Sequence, residues 1–109
     1  SFYLNNPSSV LAVSRQYGLP LLTIVLDNGG WSAVKESTLR VYPDGEARRQ
    51  DTFEATFEHE ADFARMAMAF GAHGGRLEQP VETEAVLSRC LAHVNAGRSA
   101  LVHALVTPL

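Results

Sequence analysis

Apolar residues fall into short segments along the chain, and three of these segments predict β-strands. Residues 21–26 form a continuous apolar run, rich in β-branched side chains, that does not alternate with polar positions. Such a run is typical of a strand covered on both faces, as in a parallel sheet. Residues 100–106 form a second run that Pro108 ends, and residues 74–78 predict a third, shorter strand.

The remaining patterned segments carry the helical period, with apolar residues three and four positions apart. Asn6 and Pro7 are typical of a helix start, and Gly18 and Pro20 of its end. Further helices are predicted over 31–39, from Asp62 to Phe70, and from Pro80 to Gly97. Three of these four helices have an expected apolar face; the faces comprise Val10, Val13, Ser14 and Tyr17; Phe63, Met66, Ala67 and Phe70; and Leu87, Cys90, Leu91 and Val94.

Helices that alternate with buried strands predict an α/β fold. We expect a three-layer, doubly wound parallel sheet with helices on both faces, formed by residues 1–109 as a single domain. Residues 40–60 are polar and contain the turn sequence Tyr42-Pro43-Asp44-Gly45. They are expected to form a long loop, which in a compact domain is usually functional or mobile.

Composition excludes several classes of partner. The 109 residues carry a formal charge of -3, and 46% of them are apolar. A weakly acidic chain does not suit nucleic acid or an anionic membrane, because both require a basic surface. No apolar run approaches the roughly 20 residues that span a bilayer. The single cysteine, Cys90, favours a cytoplasmic location, and the opening Ser1-Phe2-Tyr3 reads like the middle of a larger protein.

The sequence Asp27-Asn28-Gly29-Gly30 directly follows the first predicted strand and precedes a predicted helix. In open α/β sheets, ligands bind at the carboxyl ends of the strands. Two glycines allow the backbone to approach a ligand, the first turn of a helix favours an anion, and the Asn28 carboxamide oxygen suits a hard cation. The alternative is that these four residues form only an ordinary turn.

Several stretches in order resemble one known family. They are Ser1-Phe2, Asn6-Pro7, residues 14–20, residues 27–31, residues 62–67, residues 70–74 and residues 97–102. Together they resemble the C-terminal, diphosphate-binding domain of thiamine-diphosphate enzymes such as acetolactate synthase, benzoylformate decarboxylase and 2-hydroxyacyl-CoA lyase. The resemblance covers nearly the whole chain.

The resemblance implies a binding site for thiamine diphosphate and Mg²⁺. Asn28 is expected to bind the metal through its side chain and Gly30 through its backbone carbonyl, while Ser1, Gly29 and Trp31 lie at the cofactor. Asp27 is expected to be structural or to orient the turn. The cofactor carries the chemistry, and the glutamate that activates it belongs to another domain, so we expect no catalytic residue in this chain.

The implied enzyme forms or cleaves a carbon–carbon bond next to a carbonyl, in a 2-keto acid or an aldehyde. Its expected partners are the other domains of the same enzyme and further copies of itself, as a homo-oligomer. Trp31 faces either the substrate or a packed neighbour in this interpretation.

The chain departs from the family pattern in two places. The family's Gly-Asp-Gly triplet would fall just before Ser1 and is absent, and Asp27 stands where the family has the first of two asparagines. The fold is therefore expected to be truncated at its N-terminus, and the fragment alone to bind the cofactor weakly and to be inactive. Two alternatives remain open: a small non-catalytic module of flavodoxin-like architecture, and a separate subunit that pairs with a second chain.

We expect structural or surface roles for the other residues whose side chains could bind a ligand or take part in catalysis. The predicted surface charges are Arg40, Arg48, Arg49 and the run Glu58-His59-Glu60, which lacks the second histidine of a helical zinc motif. His73 is placed in a connection near the edge of the sheet, His93 in a helix and His103 in a strand. Cys90 shares an apolar helix face and is expected to be a buried small hydrophobe.

Overall fold

A computed structural model describes residues 2, 5–57 and 61–107 of the chain. Its helices are α1 (Pro7–Tyr17), α2 (Ser32–Val41), α3 (Glu46–Arg49), α4 (Phe63–Ala69) and α5 (Thr83–Asn95), with a 3₁₀ turn at Pro80–Glu82. Its strands are β1 (Leu22–Asp27), β2 (His73–Leu77) and β3 (Ala100–Leu105). None of the helices in this described part combines the length and the apolar character that crossing a bilayer needs.

The three strands form one parallel sheet in the order β1-β3-β2. Leu22 and His73 both align with Ala100, so the three strands begin at the same edge of the sheet. Their carboxyl ends therefore share the opposite edge, where Asp27 aligns with Leu105. The predicted α/β class with a parallel sheet is confirmed.

Burial differs sharply between the two long strands. The first five residues of β3 are all buried, because it is the central strand and has neighbours on both sides. The expectation that β1 is covered on both faces is wrong. Among its residues only Val25 is buried, while Ile24 and Leu26 are 51% and 68% exposed. The apolar run marks a strand, but it does not tell a central strand from one at an edge.

Two apolar clusters lie on opposite faces of the sheet, as a three-layer fold requires. Leu101 faces a cluster that includes Leu11 of α1 and Phe63 of α4. Its neighbours Ala100 and Val102 face the other cluster, with Val86 and Cys90 of α5. Successive residues of a strand point to opposite faces, so β3 serves both cores.

Two glycines in β2 allow helices to approach it closely from both sides. A Cβ at Gly74 would lie 2.2 Å from the carbonyl oxygen of Ala64 in α4. A Cβ at Gly75 would lie 3.1 Å from a methyl group of Val86 and 3.2 Å from the Sγ of Cys90. The backbone of α4 thus sits against β2 at a distance that excludes any side chain at position 74.

The predicted faces of two helices are only partly correct. In α1, Ser14 is buried as expected together with Leu11, but Val10, Val13 and Tyr17 are exposed. The buried face is therefore centred on Leu11 and Ser14. In α5, Cys90 is buried together with Val86, whereas Leu91 is 46% exposed. Both helices keep the expected period, but their buried stripes are rotated around the axis.

The chain divides into two compact units, one of Ser1–Asp27 and Ala61–Val106 and the other of Asn28–Glu60 and Thr107–Leu109. This second unit contains α2 and α3, and an antiparallel bridge joins Gly30 to Thr56. The stretch 40–60 is therefore not one long loop, because α3 and the bridge lie within it. The short helix was missed because its four residues, Glu46–Arg49, are mostly charged and carry no apolar period.

Candidate functional site

The turn after β1 is organised by the Asn28 side chain. Its Nδ2 donates to the Oγ of Ser32 at 2.7 Å. Its Oδ1 receives the backbone N–H of Gly30 at 3.4 Å, which is at the long limit for a hydrogen bond. This oxygen is consequently only weakly engaged, and it retains accepting capacity for a further partner.

Gly29 and Gly30 are required by the backbone of this turn. Gly29 has a φ of 74°, a conformation that residues with a side chain rarely adopt. A Cβ at Gly30 would lie 2.1 Å from the carbonyl oxygen of Ala55. The bridge around Gly30 is closed by hydrogen bonds from Phe57 N to Gly29 O at 2.9 Å and from Trp31 N to Ala55 O at 2.7 Å.

The carbonyl of Gly30 is left without a hydrogen-bond partner among the described residues. Because the flanking Gly29 and Trp31 make the bonds to the other segment, Gly30 directs its own amide groups away from it. Its N–H accordingly meets Asn28 Oδ1. Two oxygen atoms of this turn, the Asn28 Oδ1 and the Gly30 carbonyl, are thus available to a ligand.

Trp31 packs within the second unit. It is the residue that precedes α2, and its indole meets the Phe57 ring edge-on with centroids 4.9 Å apart. Lys35, one turn further along α2, lies 5.1 Å from the centroid of the Phe53 ring and 4.0 Å from Asp51. Through these aromatic and ionic contacts, residues 51–57 pack against the start of α2.

The chemistry of the turn fits Mg²⁺. This ion prefers neutral and anionic oxygen ligands and usually retains several from phosphate or water. A carboxamide oxygen and a backbone carbonyl are such ligands. Within residues 2, 5–57 and 61–107, no group of three or more His, Cys, Asp and Glu side chains could hold a metal by itself. An ion here would need further oxygens from outside the described chain.

A buried pair of polar side chains, which the sequence reasoning missed, lies at the carboxyl edge of the sheet. The Nε2 of His103 on β3 is 2.7 Å from the Oδ2 of Asp27, the last residue of β1. The His103 side chain is fully buried and its ring meets Phe63 edge-on at 5.0 Å. Val106 N also donates to Asp27 O at 2.9 Å, so both the backbone and the carboxylate of Asp27 are fixed in the sheet.

In the tautomer that carries its proton on Nε2, the His103 ring donates a hydrogen bond to the Asp27 carboxylate. The Nδ1 of His103 is buried with no hydrogen-bond partner among the described atoms. A histidine within an otherwise apolar strand was the available signal, but only the register of β3 against β1 reveals its partner.

His73 is remote from this edge. It is not in a connection, as expected, but is the first residue of β2, at the amino edge of the sheet. Its ring stacks on that of His93 in α5 with centroids 4.1 Å apart. Burial lowers the pKa of His73 below its ordinary value, and the neighbouring His93, Arg98 and Arg89 lower it further. The arrangement favours a neutral, packed His73.

The other singled-out residues lie where ordinary surface or core residues do. Arg40, Arg48 and Arg49 are exposed, and Arg49 is 3.5 Å from Glu46 of its own helix. Cys90 is buried as predicted, and burial raises the pKa of its thiol. Ser1 and the run Glu58-His59-Glu60 lie outside the described residues.

A parallel α/β sheet whose first strand is followed by a glycine turn with two available oxygens is typical of α/β domains that bind a ligand at the carboxyl ends of their strands. Residues 1–104 match the family described as thiamine pyrophosphate enzyme, C-terminal TPP binding domain. The chain belongs to this family, which binds thiamine diphosphate as part of a larger enzyme. The match favours this assignment over a flavodoxin-like module. The comparison with curated proteins finds no match.

Proposed function

We propose that the Asn28 Oδ1 and the Gly30 carbonyl bind Mg²⁺, and that the ion holds the diphosphate of thiamine diphosphate. The observation that supports this most is that two oxygens of one turn are free to accept a further ligand. The chain that carries this turn belongs to a family that binds thiamine diphosphate. Bound thiamine diphosphate supplies an electron sink for a carbanion next to a carbonyl. This chain's contribution is to bind and orient the cofactor's anionic end.

Asp27 has a structural role in this proposal. A carboxylate beside a diphosphate is repulsive, but the Asp27 carboxylate already accepts a hydrogen bond from His103 and is mostly buried. The pair fixes the residue that immediately precedes Asn28 in the chain. Gly29 supplies the conformation of the turn, and Ser1 and Trp31 remain predicted cofactor contacts.

The proposed reaction is the formation or cleavage of a carbon–carbon bond in a 2-keto acid or aldehyde, as in enzymes of the acetolactate synthase and benzoylformate decarboxylase group. This rests on the order of family-like segments along the sequence. We further propose that the full enzyme is a cytoplasmic homo-oligomer and that the glutamate that activates the cofactor lies on another of its domains.

The edge of β1 supports a larger sheet. Among the described residues β1 pairs with β3 alone, and its Ile24 and Leu26 side chains are exposed although both are strongly apolar. Long exposed edges are normally paired or covered in native proteins. We therefore propose that another segment of the same protein adds a strand beside β1 and that residues 1–109 are part of a domain.

Calorimetric titration of the full protein with thiamine diphosphate tests the proposed metal link. We expect binding in the presence of Mg²⁺, loss of that binding after the metal is removed with a chelator, and recovery when Mg²⁺ is added back. Equal affinity with and without the metal would show that the diphosphate is held by the protein directly and that the proposed role of the turn is wrong.

A further inference from the structure

A cavity lies at the amino edge of the sheet. It measures about 210 Å³ and lies where α1, α4 and α5 end and where β2 and β3 begin. Its lining residues are Leu11, Ser14, Arg15, Gly18, Phe70, Gly71, Ala72, Gly97, Arg98 and Ser99. The lining holds two guanidinium groups and no carboxylate, although the chain as a whole is acidic.

Arg98 is held in place at one wall of this cavity. Its Nε donates to the Gly71 carbonyl at 3.0 Å and its Nη2 to the Ala72 carbonyl at 2.8 Å. These two bonds fix the plane of the guanidinium and leave its remaining N–H groups for another acceptor, since the group has five. A donor that is already ordered loses less entropy when it binds a ligand.

Arg15 extends from α1 to the same wall. Its Nη1 would lie 3.0 Å from a Cβ at Gly71, so the absence of a side chain there makes room for the guanidinium. Among the residues that the structure describes, no carboxylate lies within ion-pair distance of Arg15. Two positive charges therefore face one small cavity without an internal counter-charge.

The serine hydroxyls that line the cavity already have hydrogen-bond partners of their own, so they do not need the arginines as donors. The Ser14 hydroxyl donates to the Leu19 carbonyl at 2.6 Å and also contacts the Ser99 hydroxyl. Ser99 Oγ in turn receives the Leu21 N–H at 3.0 Å. Leu11 and Phe70 supply apolar surface to the remainder of the lining.

From this geometry we propose that the cavity binds a small organic carboxylate, with its anionic group on Arg15 and Arg98 and its apolar body against Leu11 and Phe70. A guanidinium fork matches a carboxylate in shape and charge. The volume is below the range of about 300–1,000 Å³ that drug-sized ligands occupy, so the ligand has only a few carbon atoms.

The helix ends around the cavity make recognition depend on the arginines. Three helices direct their C-terminal, partially negative ends toward it, which disfavours an anion. The Ser14 carbonyl in the last turn of α1 is already bonded to Leu19 N, and the Gly71 and Ala72 carbonyls, which follow α4, accept from Arg98. Removing one guanidinium should therefore abolish most of the affinity.

The test is a calorimetric titration of the full protein, saturated with thiamine diphosphate and Mg²⁺, with isovalerate. We expect isovalerate to bind and its uncharged analogue isovaleramide not to bind. Arg15→Gln should weaken isovalerate binding about tenfold or more, as expected for one lost charge-assisted hydrogen-bonding group. Arg15→Lys should retain part of the affinity, and Arg65→Gln, a change at another exposed arginine, should retain all of it.

The variants separate a ligand site from a purely structural role at the helix ends. If Arg15 only stabilises the C-terminal end of α1, Arg15→Gln lowers the unfolding midpoint and leaves isovalerate binding unchanged, which overturns the proposal. Three other results also overturn the proposal. They are that isovaleramide binds as well as isovalerate, that inorganic phosphate binds in place of isovalerate, or that the parent protein does not bind isovalerate. Cofactor affinity should be the same in Arg15→Gln and the parent.

Discussion

Asn28→Ala is expected to weaken thiamine diphosphate binding to the full protein by about a hundredfold at fixed Mg²⁺ concentration. The substitution removes the carboxamide oxygen that is proposed as a metal ligand, and even residues that merely orient metal ligands are typically worth 10–100-fold. The measurement is the dissociation constant of the cofactor by calorimetry. Raising the Mg²⁺ concentration should recover part of the affinity, because a weaker metal site is filled at higher metal concentration.

Two matched variants separate loss of the ligand from loosening of the turn. Ser32→Ala removes the hydrogen-bond partner of Asn28 Nδ2 and leaves the Asn28 oxygen in place. It should cost much less affinity than Asn28→Ala. Asn95→Ala changes an exposed asparagine at the end of α5 and should cost none. If Ser32→Ala is as damaging as Asn28→Ala, the amide serves to shape the turn and does not bind the metal.

Gly74→Ala is expected to lower the free energy of unfolding by about 3 kcal/mol, the upper part of the usual range for overpacking. The added methyl group would lie 2.2 Å from the Ala64 carbonyl oxygen and 2.8 Å from its carbon. These are backbone atoms of α4, so no side-chain rotation relieves the clash and the helix must move off the sheet. Urea unfolding of the variant and the parent, compared at their midpoints, measures the effect.

Gly75→Ala is the matched control on the opposite face of the same strand. Its methyl group would meet side-chain atoms of Val86 and Cys90 at 3.1 and 3.2 Å. Those side chains can shift by a few tenths of an ångström, so the expected loss is only about 1 kcal/mol. Equal losses at the two positions would contradict the close contact between the α4 backbone and β2.

Sequence patterns predict the three described strands and all the described α-helices except α3, but they do not predict which residues of these elements are exposed. The apolar runs that become β1 and β3 look alike, and only the strand order β1-β3-β2 makes one of them an edge. Burial in α1 depends in the same way on which side meets α4 and the sheet. Strand order and helix orientation arise from contacts distant in sequence, which a local period does not contain.

In the candidate site, too, the local features can be predicted from the sequence, whereas contacts between distant residues cannot. The turn at Asn28 is local, since Asn28, Gly29 and Gly30 are adjacent and their residue types indicate a tight, oxygen-bearing backbone. The pairing of Asp27 with His103 joins residues 76 positions apart and follows from strand register. The contact of Trp31 with Phe57 depends likewise on an antiparallel bridge that no local signal announces.

A crystal structure of the full protein with thiamine diphosphate and Mg²⁺ tests the central claim most directly. The proposal predicts an ion about 2.1 Å from both the Asn28 Oδ1 and the Gly30 carbonyl oxygen, with diphosphate oxygens among its other ligands. An ion that is bound to the diphosphate but held by other residues, with the Asn28 amide still bonded only to Ser32 and Gly30, would contradict it.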